Sequence, residues 1–185
     1  MEFCLHYYGT IKSNDCVKGK HLIRKELHKQ MKSICSTHPF AQVFAKDKEE
    51  RRKPQEKPMF IEMKGHRYWF LISQYLKTVV DLSITFLFPY EVGAIFTQGG
   101  DIDNRLKTLF DALRIPQNTD EIPPDDDFDY SDDGMYCLLE DDKLINGVQI
   151  NVFQDHDPLD KNSCKVLIKV NTKINAVLWG NLHFV

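Results

Sequence analysis

The sequence predicts a single α/β domain in which a mixed β-sheet is packed against helices. Short apolar runs that alternate with polar residues indicate strands, and two longer segments repeat apolar residues at helical spacing. The 185 residues suffice for one domain with a hydrophobic core, whereas two complete domains would be cramped. The content of 42% hydrophobic and 28% charged residues is typical of a globular protein. We therefore expect one domain over residues 1–185.

Alternating apolar and polar residues predict six strands. The second and third strands form a hairpin around a turn at Lys64-Gly65. The fourth strand ends at Pro89, which cannot donate a hydrogen bond to a neighbouring strand. The six strands cover residues 2–11, 59–63, 67–75, 80–88, 144–153 and 164–170.

Helical spacing of apolar residues predicts two helices. The first begins near Gly19, and the second runs from Asp101 to about Arg114, since Pro116 disfavours helix in the residue before it. The apolar face of the first helix is predicted to consist of Leu22, Ile23, Leu27, Met31 and Ile34. Its opposite face is either a solvated surface or a nucleic-acid-binding surface that follows a phosphate backbone, and it contains Lys20, Arg24, Lys25, Lys29 and Lys32.

Charge is distributed unevenly along the chain. The formal net charge is -3, yet the stretch from Ile115 to Asp142 contains eleven acidic residues and no lysine or arginine. The remaining 24 basic and 16 acidic residues form a basic body that is compatible with a polyanionic partner. We expect the acidic insert, residues 117–140, to be poorly ordered and hypothesise that it acts as a gate or a protein-contact loop. A mixed-charge segment, residues 38–58, is expected to be a mobile loop.

Part of the acidic insert matches the spacing of a calcium-binding loop. A calcium-responsive binding protein is therefore one alternative function, although acidic stretches match this pattern easily by chance. The preceding segment is rich in proline and aspartate and does not suit the incoming helix of an EF-hand. The residues at the ligand and turn positions are Asp129, Ser131, Asp133, Gly134 and Glu140.

Nothing in the sequence predicts a membrane or secreted location. No apolar run reaches the roughly 18 residues that a membrane span needs. The start of the chain, Met1 to Leu5, lacks the basic and then apolar layout of a signal peptide. The five cysteines are scattered without a CxxC spacing, which disfavours a structural zinc site or a disulfide framework. We therefore expect a cytoplasmic protein.

Two acidic motifs are the candidate functional residues. Asp101 and Asp103 follow Gly99-Gly100 at the junction between a loop and the second helix, and Lys107 lies one turn after Asp103. Asp101 is also well placed to be a simple helix N-cap. A second acidic pair, Asp141-Asp142, follows the acidic insert.

These residue types point to a hard cation and to phosphate chemistry. Carboxylates without a nearby histidine suit Mg²⁺, and the seven histidines are scattered without forming a ligand pair. A carboxylate-bound Mg²⁺ activates water and neutralises the charge that develops on a phosphodiester. Lys107 could stabilise that charge or orient the water. The predicted cofactor is therefore Mg²⁺ and the predicted reaction is phosphodiester hydrolysis.

The two motifs carry a family resemblance. Residues 101–113, DIDNRLKTLFDAL, resemble the DxDNxxKxxxDAL signature of the RusA-type Holliday-junction resolvases. Residues 139–145, LEDDKLI, resemble the DD-x-x-[VI] motif that follows the same helix in that family. The resemblance covers about 20 residues directly, and the order of the preceding strands and helix is more loosely similar.

The resemblance implies a RusA-like endonuclease domain that depends on Mg²⁺ and nicks four-way DNA junctions in recombination and repair. Members are small dimers, and many are encoded by prophages. The resemblance further implies that Asp101, Asp103 and Asp142 bind the metal and are catalytic, with Asp141 as a secondary candidate. Lys107 corresponds to the catalytic lysine. The acidic insert and the segment 38–58 are longer than the family pattern leads one to expect.

A non-catalytic nucleic-acid or protein interaction module on the same fold is the second class of function. The basic face of the first helix and the acidic insert could serve such a role without any catalysis. The apolar C-terminal tail, residues 173–185, is expected to pack on the core or on a second subunit. A homodimer formed in this way would match the two-fold symmetry of a four-way junction.

Overall fold

The protein is a mixed α/β structure with two β-sheets and flanking helices. The computed structural model describes residues 1–37, 41, 44, 57–90, 102–131, 133–178 and 181. The predicted α/β class is confirmed, but the strands form two sheets where one was expected. The elements are β1 (Glu2–Gly9), α1 (Val17–Cys35), β2 (Phe60–Met63), β3 (His66–Ile72), β4 (Thr78–Phe88), α2 (Ile102–Leu113), β5 (Met135–Leu139), β6 (Ile145–Gln154) and β7 (Cys164–Ile174), with 3₁₀ turns at Thr119–Glu121 and Asp142–Leu144.

The larger sheet has the strand order β1-β7-β4-β6. β7 pairs antiparallel with both β1 and β4, whereas β4 and β6 are parallel. The alternation predicted for the fourth strand is confirmed in β4, where Leu82, Ile84 and Phe86 are buried and the intervening Ser83 and Thr85 are half-buried. Because alternate side chains point to opposite faces of a strand, one face of this sheet packs on the core.

The smaller sheet has the strand order β2-β3-β5. β2 and β3 form the predicted hairpin, and its turn at Lys64-Gly65 has positive φ angles of 50° and 78°, as a type I′ turn requires. β3 buries every residue from Tyr68 to Ile72, and β5, which runs parallel to β3, buries all five of its residues. Strands that are covered on both faces have continuous apolar runs, and these two strands form the centre of the core.

The expectation that residues 117–140 would be poorly ordered is wrong for the described part of this insert. Its final residues form β5. Ile122 is buried, and Phe128 and Tyr130 pack against the same core. Composition suggested disorder because the acidic residues dominate the segment. The few apolar and aromatic residues between them nevertheless bury enough surface to hold the insert in place.

The buried face of α1 differs from the one that apolar spacing predicted. Ile23 and Leu27 are buried as expected, whereas Leu22 is 51% exposed. His21 and Arg24 are buried instead of Leu22, and both side chains form hydrogen bonds with polar partners. Apolar periodicity alone cannot detect buried polar residues of this kind, because their burial depends on partners from other segments.

Some predictions concern segments that the described residues cover only in part. The charged segment 38–58 lies almost entirely outside them, and residues 91–100 lie wholly outside them. In the C-terminal tail, Val177 is 70% exposed, while Asn181 is buried and donates from Nδ2 to the carbonyl oxygen of Leu76 at 2.7 Å. None of the described helices is long and apolar enough to cross a membrane.

Candidate functional site

Two buried polar side chains attach α2 to the N-terminal loop. Arg105 donates from its guanidinium to the carbonyl oxygen of Ile11 at 2.8 Å, and its guanidinium carbon lies 5.0 Å from the ring centre of Phe88. Thr108 donates from its hydroxyl to the carbonyl oxygen of Lys12 at 3.0 Å. These contacts fix the rotation of α2 about its axis and so decide which of its side chains face outward.

The outward face of α2 carries two of the residues predicted to be catalytic. Asp103 and Lys107 are both exposed, and their spacing of four residues places them one turn apart on the same side. The Asp103 carboxylate accepts a hydrogen bond of 2.7 Å from the backbone amide of Asn104. Asp101, the predicted partner of Asp103, lies outside the described residues.

The two members of the second acidic pair have different surroundings. The Asp141 carboxylate accepts a hydrogen bond from the backbone amide of Lys143 at 3.0 Å and pairs with the Lys143 ammonium at 3.0 Å. Burial raises the pKa of Asp141, but these contacts outweigh it, so the net pKa lies below the ordinary aspartate value. Burial raises the pKa of Asp142, and the nearby Arg114, whose Nε lies 4.0 Å from the carboxylate, only partly opposes this rise.

A charged cluster at the end of α2 is centred on Arg114. This residue belongs to neither of the two acidic motifs. Its guanidinium contacts the carboxylates of Asp111 and Glu121, each at 2.8 Å. Asp111 also pairs with Lys20 of α1 at 2.7 Å. The i,i+3 spacing of Asp111 and Arg114 is the sequence signal that could have indicated this pair. The cluster ties α1, α2 and the acidic insert together.

Asp103 and Asp142 have different neighbours in this structure. Asp142 lies beside Arg114, close enough to Asp111 for that charge to affect its pKa, and thus at the C-terminal end of α2. The eight residues from Asp103 to Asp111 correspond to about 12 Å along a helix axis. Asp103 lies in the first turn of the same helix. Among the described residues, no group of three His, Cys, Asp or Glu side chains is placed to hold a metal ion.

Acidic side chains occupy much of the basic face of α1. Lys25 contacts Asp126 at 3.4 Å and also pairs with Asp127. Lys18, two helical turns before it, pairs with Asp125 at 2.7 Å. The acidic insert therefore lies against the helix that was expected to attract a polyanion. Of the other predicted nucleic-acid contacts, Lys20 pairs with Asp111 as described above, Lys29 is exposed and Lys32 is half-buried.

Arg24 does not belong to this exposed face, and its predicted role in nucleic-acid binding is wrong. Its side chain is only 2% exposed. The guanidinium donates to the carbonyl oxygens of Asp111 and Arg114 at 2.8 and 3.1 Å. Carbonyl groups at the C-terminal end of a helix have no intrahelical partner, so Arg24 of α1 caps the end of α2.

The acidic insert is anchored on α1 by Asp126. Its carboxylate accepts hydrogen bonds from the Tyr130 hydroxyl at 2.6 Å and the Phe128 amide at 3.1 Å. His21 Nε2 lies 3.0 Å from the same carboxylate. Arg24 donates to Nδ1 of His21 at 3.3 Å, which leaves the proton of the neutral ring on Nε2, facing Asp126. Burial lowers the pKa of His21 and favours this neutral form.

Asp126→Asn is expected to destabilise the protein by about 1–2 kcal/mol at pH 7, because it weakens several part-buried hydrogen bonds at once. Burial raises the pKa of Asp126, but the hydrogen bonds from Tyr130 and Phe128 outweigh it and hold the net pKa below the ordinary value. A carboxyl group whose pKa is lower in the folded state than in the unfolded state stabilises the fold at pH values above the unfolded-state pKa of about 3.9. That contribution is lost as the pH falls through the folded-state pKa.

Urea denaturation of the wild type and Asp126→Asn at pH 7 and pH 3 tests this anchor. The difference in unfolding free energy should be smaller at pH 3, because pH 3 lies below the unfolded-state pKa and part of the stabilisation by the Asp126 charge is lost there. Asp127→Asn is the matched control, since Asp127 is 88% exposed and its replacement should leave the stability nearly unchanged. Equal effects of the two variants at pH 7 would contradict the anchoring role of Asp126.

The described residues of the calcium-loop pattern do not have the arrangement of a calcium-binding loop. Glu140 accepts hydrogen bonds from the Ser73 hydroxyl at 2.9 Å and the Gln74 amide at 2.8 Å. Between Gly134 and Glu140 the chain is the extended strand β5, so these six residues span about 20 Å. Asp129 and Glu140 therefore cannot bind the same calcium ion.

Comparisons with known proteins do not identify a relative of this chain. No protein-family model, no curated protein and no solved structure matches it. The outward face of α2 and its surroundings are thus the basis for inferring a function.

Proposed function

We propose that the protein is a Mg²⁺-dependent endonuclease that cleaves phosphodiester bonds in branched DNA, with the four-way junction as its substrate. The observation that carries this proposal is the exposed pair Asp103 and Lys107 on one side of α2. A carboxylate and an ammonium one turn apart suit a reaction in which a water is oriented and developing negative charge is stabilised. Arg105 and Thr108 hold α2 so that this pair faces outward, where a DNA strand can reach it.

Lys107 and Asp103 have separate roles in the proposed reaction. Lys107 binds an oxygen of the scissile phosphate and stabilises the charge that develops there. Asp103 accepts a hydrogen bond from the attacking water and orients it. The Mg²⁺ requirement rests on the sequence motif, because Asp101, one of the three proposed ligands, is outside the described residues. Asp142 is proposed as a catalytic acid only because it belongs to the second acidic motif.

A non-catalytic nucleic-acid or protein interaction module is the second candidate. The position of Asp142 beside Arg114 favours it, because a carboxylate near an arginine is less available to a metal ion. The acidic residues that cover α1 point the same way, since they neutralise a face that DNA would otherwise contact. Measurement of strand cleavage separates this candidate from the nuclease.

We also infer a cytoplasmic homodimer. A two-fold dimer would present two copies of the α2 face to the two-fold four-way junction. Val177 and Leu178, which lie in the tail predicted to contact a second subunit, are 70% and 40% exposed and are thus accessible for such a contact. All five cysteines are free thiols, which suits a reducing compartment.

Cleavage of a synthetic four-way junction tests the proposed function. We expect nicks in the junction with Mg²⁺ present, none when EDTA replaces it, and much slower nicking of a linear duplex of the same sequence. Sedimentation of the protein alone would report the dimer separately. Junction binding without cleavage in either Mg²⁺ or Mn²⁺ would reject the nuclease and favour the non-catalytic module.

A further inference from the structure

A small pocket of about 230 Å³ lies beside the first turns of α2. Arg105 lines it, whereas Asp103 does not. Its walls come from segments that are distant in sequence: residues 10–13 after β1, residues 88–90 at the end of β4, residues 161–164 before β7, and Arg105 of α2. The volume is below the range of about 300–1,000 Å³ that is common for drug-sized ligands. The pocket therefore suits a small group more than a whole large molecule.

The described residues that line this pocket carry three positive charges and no carboxylate. The charges belong to Lys12, Arg105 and Lys161. The nearest acid in the lining loop, Asp160, is used within that loop, where its carboxylate accepts from the Asn162 amide at 2.8 Å and also from the Ser163 hydroxyl. A cavity with such a lining attracts an anion.

The pocket is held in shape before any ligand binds. Arg105 is nine-tenths buried, and its bond to the Ile11 carbonyl oxygen fixes the planar guanidinium at the pocket wall. The Thr10 hydroxyl donates to the carbonyl oxygen of Asn162 at 3.3 Å, which joins the two loops of the lining. A preformed site avoids the cost of ordering its groups when a ligand binds.

The donors around this pocket match a phosphate group. Lysine ammonium groups and an arginine fork are the side chains that bind phosphate oxygens best. The Tyr90 side chain also lines the wall, and its buried hydroxyl lies close to the Arg105 guanidinium.

We propose that this pocket binds a phosphate group, and that in DNA it holds a backbone phosphate next to the strand that reaches Asp103 and Lys107. The assignment to DNA rests on the proposed function, whereas the phosphate site does not. A free phosphate compound offers the same chemistry. The two sources are therefore tested in separate arms of one experiment.

The test compares the wild type with the double variant Lys12→Ala/Lys161→Ala. Both lysines are exposed, so their removal leaves the fold intact. The matched control is Lys169→Ala/Lys173→Ala, which removes the same charge from β7 outside the pocket. Fluorescence anisotropy of a labelled four-way junction in EDTA measures binding without cleavage. We expect roughly tenfold weaker binding for the pocket variant, and a slope of log K against log salt that is smaller by about 1–2.

The second arm measures the melting temperature in millimolar pyrophosphate without DNA. Suppose that pyrophosphate raises the melting temperature of the wild type and of the control variant but not that of the pocket variant. If junction binding is unaffected as well, the pocket is assigned to a free phosphate compound. Loss of junction binding in the pocket variant alone assigns it to DNA, even if the wild type never cleaves and the proposed function fails. The proposal is overturned if pocket and control variants agree in both arms.

Discussion

Asp103→Asn is expected to abolish cleavage of a four-way junction while leaving junction binding unchanged. The substitution removes one negative charge but keeps the shape of the side chain. It also keeps an oxygen that can accept the hydrogen bond from the Asn104 amide, so the start of α2 should stay folded. We expect the cleavage rate to fall more than about 100-fold, since even the outer partners of a metal site cost 10–100-fold when they are replaced.

Single-turnover cleavage and anisotropy on the same labelled junction provide the two readouts. Asp120→Asn is the matched control, because Asp120 is also exposed, lies in the 3₁₀ turn after α2, and its replacement removes the same charge. The control should cleave at the wild-type rate. Wild-type cleavage by Asp103→Asn would remove the outward face of α2 from the proposed active site. Parallel loss of binding and cleavage would show that the residue supports binding and not the chemical step.

Arg24→Met is expected to cost about 2–4 kcal/mol of stability, because it leaves two carbonyl groups at the end of α2 without their donor. The guanidinium also donates to the buried ring of His21, so the contact between α1 and the acidic insert should weaken as well. Methionine keeps an unbranched apolar stem in the buried site. The expected effect therefore reports mainly the lost hydrogen bonds.

Urea denaturation at pH 7 measures this cost. Lys29→Met on the same helix is the control, because Lys29 is exposed and its replacement should change stability by less than about 0.5 kcal/mol. Junction binding by Arg24→Met at a temperature where it is folded should equal that of the wild type. An Arg24→Met protein with wild-type stability and weakened DNA binding would restore Arg24 to the nucleic-acid-binding surface and refute the capping role.

Local patterns were sufficient wherever a segment's own residues decide its structure. The alternation in β4 reports a strand with one buried face, and the Lys64-Gly65 pair suits the positive φ angles of the hairpin turn. The spacing of Asp103 and Lys107 likewise placed them on one side of α2. These features depend on backbone geometry and side-chain period, which hardly involve distant parts of the chain.

Long-range contacts decided the features that the sequence did not reveal. Five apolar residues made β5 a buried strand within a stretch whose acidic composition predicted disorder. Arg24 reads as part of a basic helix face, yet it is buried because the end of α2 supplies acceptors for it. The second motif does not reveal that Asp142 has Arg114 as a neighbour, with Nε 4.0 Å from its carboxylate.

The sequence by itself determined that this protein is an α/β domain with an acidic and basic pair on the outward side of α2. Only the tertiary structure decided which charges remain available to a partner. Lys25 and Lys18 are paired with the acidic insert, whereas Lys12 and Lys161 are brought to one pocket from opposite ends of the chain. The reason is physical: the type of a side chain sets its ordinary charge, but the segments packed around it determine whether that charge is neutralised, buried or exposed to a ligand.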